Sequence, residues 1–148
     1  MEKEPIHEPV VTAIVTYRGV VYPWQCDHMG HMNVMWYVGK FDEATWGLFA
    51  AVGLTASHLR DQSRGLVAVE QKITYRRELL AGDTLFVRSH FVEAREKVVR
   101  FVHEMVNAES NETAAITELT GVHIDASARR AVPLPEAVLG RLRAMISA

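Results

Sequence analysis

The chain has 148 residues, with 49% hydrophobic and 23% charged, a balance that suits one globular domain with a buried core rather than a disordered chain. Its 16 Lys and Arg against 18 Asp and Glu leave a net charge of −2, which gives no basic footprint for nucleic acid. No uncharged apolar run is long enough to span a membrane, and the single cysteine, Cys26, excludes an internal disulfide.

Residues 1–9 read as a loose arm, with Pro5, Pro9 and three glutamates. They hold no apolar stretch of the secretory type, so a cytoplasmic location is the expectation. From Val10 to Tyr22 the density of branched and aromatic residues predicts a strand. Residues 23–32, PWQCDHMGHM, break regular structure. Asn33 is placed to cap a helix, because its side chain can accept from the free amides of a first turn.

The helix is predicted over Val34 to Val52. Tyr37, Phe41, Ala44, Leu48 and Ala51 or Val52 recur at steps of three and four. Trp36, Trp46 and Phe49 lie off that stripe, so the helix is expected to be buried on most sides. Gly47 costs about 1 kcal/mol against alanine, which close packing would explain. Gly53 suits the helix end, and Thr55 to Arg60 a further turn.

Four strand-like runs follow. Leu66 to Glu78 has Val67, Val69, Ile73 and Tyr75 on one face; Thr84 to Ala94 has Leu85, Val87 and Phe91. Val98 to Val106 and Thr113 to Ile124 complete the set, with turns at Ala81-Gly82-Asp83, Arg95-Glu96-Lys97 and Ser110-Asn111. Short turns between consecutive strands imply an antiparallel meander. Glu136 to Ile146 is a short amphipathic helix. The expectation is a single α+β domain over residues 1–148, with a core of about 10–125 and a C-terminal extension of 126–148. A five-stranded sheet curved around one long helix is its simplest form.

The densest cluster of reactive side chains is Cys26, Asp27, His28, His31 and Asn33, in the loop that enters the helix. A helix start offers unpaired amides that can hold an oxyanion. A carboxylate beside it can attack a carbonyl or activate water. Asp27-His28-Met29-Gly30-His31-Met32-Asn33, with Tyr37 four further on and then Glu43-Ala44, resembles the motif of the 4-hydroxybenzoyl-CoA thioesterase-like family of the hotdog-fold superfamily. Ile73 to Glu78 with Gly82-Asp83-Thr84-Leu85 resembles a strand junction of the same family. The resemblance covers about residues 10–125.

The resemblance implies a hotdog fold, with a curved antiparallel five-stranded sheet wrapped around one long central helix. It implies hydrolysis of an acyl-CoA to a free acid and CoA, with no metal or redox cofactor. Asp27 matches the catalytic carboxylate, and Gly30 the glycine that lets the loop approach the helix. The Val34 backbone amide matches the group that polarises the thioester carbonyl. Glu43 stands second, because another hotdog branch carries its catalytic glutamate on the central helix. Family members form homodimers with sites at the subunit boundary, and often dimers of dimers. Two positions depart from the pattern: Gln25, where many members carry an acid, and Val34, where many carry a second asparagine.

Other readings of these residues stand beside this one. Asp27 is also suited to capping the helix entry. His28 and His31 form an H-x-x-H pair, but no second ligand cluster accompanies them, so no metal is expected. His31 is expected to hold the loop, with a direct catalytic role as the alternative. Met32, Asn33, Trp36 and Tyr37, with Trp24 and Met29, are candidates for the wall of a substrate pocket. Arg60, Arg64, Arg76, Arg77, Arg88, Arg95, Lys97 and Arg100 are candidates for the CoA phosphates. Two further functions share the fold: an enoyl-thioester hydratase, and a module that binds acyl thioesters without turnover.

Overall fold

The computed structural model describes residues 13–147; the predicted N-terminal arm lies outside them. The chain runs β1 (Ile14–Val20), a 3-10 turn (Pro23–Gln25), α1 (Val34–Ala50), α2 (Ala56–Asp61), β2 (Arg64–Tyr75), β3 (Thr84–Ala94), β4 (Val98–Asn107), β5 (Thr113–Asp125), β6 (Arg130–Ala131) and α3 (Glu136–Ser147). The sheet order is β1-β3-β4-β5-β2, with the two-residue β6 paired to β5. All the strand pairs are antiparallel. The five long strands form the curved sheet, α1 packs on β1, β3 and β4, and the architecture is the hotdog fold.

Asn33 caps α1, accepting from the Met35 amide at 3.0 Å, and Thr55 caps α2 through the His58 amide at 3.2 Å. Each cap satisfies a donor that the first helical turn leaves without a partner. Gly47 lets α1 lie against β1: a Cβ there would stand 2.7 Å from the Thr16 carbonyl oxygen.

The predicted apolar stripe of α1 is buried, with Tyr37 at 4% exposure and Phe41, Ala44, Leu48 and Val52 at 0%. Its opposite face is not. Met35, Val38 and Trp46 are exposed, so the expectation of a helix covered on most sides is corrected. The sheet curves over one side of α1 only, and nothing among the described residues covers the other.

The face predicted for β2 also changes. A bulge between Ala68 and Glu70 interrupts the register with β5 and breaks the alternation on which that face was read. Val67, Val69 and Tyr75 are exposed while Ile73 is half-buried. As the last strand in the sheet order, β2 pairs along one side only.

The core divides in two. Near the start of α1, Met32, Tyr37, Phe41, Leu79, Leu85, Val87 and Met105 pack together. Towards its end, Leu48, Phe49, Phe91 and Phe101 meet Leu134, Val138 and Leu142 from the C-terminal segment. Residues 126–147 therefore close one end of the core. Side chains such as Phe41 and Phe49, at 0% exposure, each contribute about 2–3 kcal/mol of burial.

A polar chain lies between the two clusters. Thr16 Oγ1 meets Ser89 Oγ at 2.7 Å, Ser89 Oγ meets His103 Nδ1 at 2.5 Å, and His103 Nε2 meets Thr45 Oγ1 at 2.8 Å. Thr45 then donates to the Phe41 carbonyl. Ser89 and His103 are opposite each other in the β3–β4 register and fully buried. Burial pushes the His103 pKa down to about 3, so its ring is neutral.

Candidate active site

The segment from Cys26 to Asn33 is a tight loop closed on itself. A bridge pairs Cys26 with Met32, the Asp27 amide donates to the His31 carbonyl, and the Gly30 amide donates to the Asp27 carbonyl. Gly30 has φ +87°, a backbone conformation that side-chain-bearing residues rarely adopt. Two further backbone bonds seat the loop: the Met32 amide donates to the distant Leu79 carbonyl, and the Asn33 amide closes the loop on the Gln25 carbonyl.

This closure sets the Asp27 carboxylate. Oδ1 accepts from the Met29 amide at 2.9 Å, and Oδ2 accepts from Asn33 Nδ2 at 2.9 Å. The Asn33 side-chain oxygen faces the other way and caps α1. One asparagine thus ties the carboxylate to the helix entry. The Asn33 bond, then the Met29 amide, hold the Asp27 pKa below the ordinary carboxylate value. Asp27 is half-exposed and ionised at neutral pH. The Val34 amide opens the helix with no acceptor among the described residues.

Two hollows flank the first turns of α1. One, about 310 Å³, is lined by His31, Met32, Val34, Tyr37, Tyr75, Arg76, Arg77 and Glu78. The other, about 490 Å³, has Tyr17, Tyr22, Trp24, Gln25, Trp36, Lys40 and Glu43 in its wall. The predicted pocket residues are therefore shared out. Met32 and Tyr37 line the first, Trp24 and Trp36 the second, and the exposed Met29 lines neither.

His31 Nδ1 lies 3.3 Å from the Met32 carbonyl oxygen, and Nε2 lies 3.7 Å from Glu78. The first contact lies within the loop, and the second ties it to the segment that follows β2. Glu43 lines the larger hollow beside Tyr17 and helps burial to raise the pKa of that hydroxyl. Of the basic residues, Arg64 pairs with Asp125, Arg77 with Glu112, Arg88 with Glu104, and Arg95 and Arg100 with Glu93. Arg76 and Arg77 are the two that line a hollow beside the helix start. No group of three or more metal-ligating side chains occurs among the described residues.

Sequence reasoning missed Lys40. It is 3% exposed and faces the larger hollow. Its signal was present: Lys40 falls three residues after Tyr37, a charge inside the apolar stripe. The partners that Gln25 and Glu78 supply were also missed, because nothing local marks them.

Residues 21–142 match the family model of the thioesterase-like superfamily. An L-carnitine dehydrogenase/betainyl-CoA thioesterase of Rhizobium sp is 30% identical over 82% of this chain, which spans only 24% of that longer protein. A betainyl-CoA thioesterase of Pseudomonas aeruginosa is 25% identical, over 91% of this chain and 85% of the relative. Among solved structures, a Staphylococcus aureus protein in complex with CoA superposes with a TM-score of 0.84 at 19% identity. The match covers 90% of this chain and 85% of that one. With the family model spanning α1, strands β2 to β6 and the first half of α3, this chain belongs to the thioesterase-like superfamily.

Proposed function

We propose that the protein hydrolyses an acyl-CoA thioester to a free carboxylic acid and CoA, with Asp27 acting at the thioester carbon. The observation that carries this is the Asp27 carboxylate, tied by Asn33 to the start of α1, where the Val34 amide has no acceptor. A thioester oxygen bound at that amide meets a donor and the positive end of the helix, both of which stabilise an oxyanion. Asp27 then follows one of two routes. It takes a proton from a water that attacks the carbonyl carbon, or it attacks that carbon itself and forms an anhydride that water opens. In both, the C–S bond breaks, the electron pair leaves on sulfur, and the CoA thiolate takes up a proton. The depressed pKa keeps Asp27 charged for either role.

The hollow beside Val34 suits the CoA arm. Arg76 and Arg77 at its wall are cations for phosphate, and Tyr37, Met32 and Tyr75 give apolar surface for the pantetheine chain. The unpaired edge of β2 and the exposed Met35, Val38 and Trp46 of α1 support a dimer in which sheets join beside the site. Light scattering should give a mass about twice or four times 16.6 kDa; a monomer at working concentration rejects that assembly.

The test is thiol release from short, long and aromatic acyl-CoAs by wild type and Asp27→Asn. Release that is lost in the variant supports the hydrolase. Consumption of an enoyl-CoA without thiol would instead identify a hydratase, and tight binding without turnover a binding module.

A further inference from the structure

The larger hollow has no part in the steps above. Its wall is aromatic, with Tyr22, Trp24 and Trp36 at one side and Tyr17 at the other, yet it contains a buried ammonium. Tyr22 and Trp24 stack at 5.9 Å, and Trp36 meets Trp24 edge-on at 4.9 Å.

Lys40 is poorly satisfied where it sits. Its ammonium donates to Tyr17 Oη at 3.4 Å and to the Val20 carbonyl at 3.5 Å, both long for hydrogen bonds. An ammonium has three donors, and the third has no acceptor among the described residues. Among the described residues no carboxylate forms an ion pair with it; Glu43, in the same hollow, favours its charge from further off, and the Tyr17 ring lies 5.5 Å from Nζ. A buried charge with long contacts is costly unless something completes its bonding. An oxygen atom entering the hollow would do so.

A trimethylammonium group would do the opposite. It has no acceptor for the Lys40 donor and would set a second cation against the first, while the aromatic wall and Glu43 would attract it.

Resting on the hydrolase reading, we infer that Lys40 is a specificity-determining residue that binds an oxygen at the far end of the acyl group. The substrates it selects are acyl-CoAs that end in a carboxylate or hydroxyl, with their carbon chain against the aromatic wall.

The test compares four acyl-CoAs of similar length: glutaryl-CoA, 5-hydroxyvaleryl-CoA, hexanoyl-CoA and 4-trimethylammoniobutyryl-CoA. Thiol release is measured for wild type, Lys40→Met and Lys40→Arg. In wild type, kcat/KM for one or both oxygen-ended substrates should exceed that for the methyl-ended and cationic ones by about 10-fold or more, the scale of a charge-assisted hydrogen bond. Lys40→Met should collapse that ratio, and Lys40→Arg, which keeps the donor, should retain it. The glutaryl and hydroxyvaleryl arms separate a carboxylate from a hydroxyl as the preferred end. A wild type that prefers the trimethylammonium or methyl end overturns the inference, as does a ratio that is the same in Lys40→Met. If the wild type releases no thiol from any of the four or from the short, long and aromatic acyl-CoAs, the hydrolase reading fails by itself. Binding of the same four, read from the fluorescence of Trp24 and Trp36, then decides on Lys40. Tighter binding of an oxygen-ended ligand that is lost in Lys40→Met upholds it, and equal binding overturns it.

Discussion

Two polar networks in this molecule contain similar groups and differ in what surrounds them. At the helix entry, Asp27 is held by Asn33 and an amide in a half-exposed loop between two hollows. In the waist of the core, Ser89 and His103 lie 2.5 Å apart, a spacing that would suit a nucleophile and its base. Yet both are at 0% exposure, and the side-chain polar atoms of Thr16, Ser89, His103 and Thr45 are bonded to one another. A buried network whose members are bonded to one another has no room for substrate. It serves packing and register. Reactive residue types close together do not make a site; an open approach to them does.

Asp27→Asn should break the first network most severely, with kcat falling by about 10²–10⁴-fold while the melting temperature changes little. Steady-state thiol release and a thermal melt check it together. Unaltered kcat would move the chemistry elsewhere. His103→Ala should break the second and do the reverse. Loss of the ring leaves a cavity and orphans Ser89 and Thr45, costing about 3 kcal/mol of stability. Activity per folded molecule should stay near that of the wild type, and a selective loss of kcat at full stability would contradict the division.

A subtler separation uses pH. The folded pKa of His103 is depressed to about 3, and that of buried His123 is also lowered, chiefly by burial. The unfolded chain binds these protons first, at about pH 6.5 and below. Their contribution is therefore fully present above about pH 6.5 and is lost as pH falls towards the folded values. Between about pH 6 and 4.5 stability should drop with a slope of up to ~1.4 kcal/mol per pH unit from His103, and His123 adds to it in the same direction. Urea midpoints across that range test it. Substituting His103 by Asn should flatten the slope, and an unaltered slope would assign it to other groups. The smallest effect is expected from Asn33→Ala. Loss of the cap should cost about 1 kcal/mol. Loss of the bond to Oδ2 should raise the Asp27 pKa towards its ordinary value, moving the acid limb of the kcat/KM profile upwards. A limb that does not move would mean that Asp27 is not the group it reports.

Much of this was legible beforehand where the signal was local. The stripe from Tyr37 to Val52, the Asn33 cap and the strands β3 to β5 follow from periodicity and turn chemistry within a few residues. The same holds for the cluster around Asp27, since Met29, Gly30 and Asn33 are its neighbours in sequence as well as in space. The exposed face of α1 was misread because hydrophobicity states a preference for burial without naming what provides it. The face of β2 was misread because one bulged residue reverses a period of two.

The sequence alone determined the order of elements, the capped helix start and a carboxylate placed beside it. Each depends on hydrogen bonds and apolar spacing that span only a few residues. Only the tertiary structure decided that His103 meets Ser89 and Thr45, that Leu79 and Glu78 seat the loop, and that Lys40 is buried against Tyr17 at the wall of a hollow. Those contacts join segments far apart in the chain. They are set by strand register and by the packing of the helix on the sheet, which no local window of residues encodes.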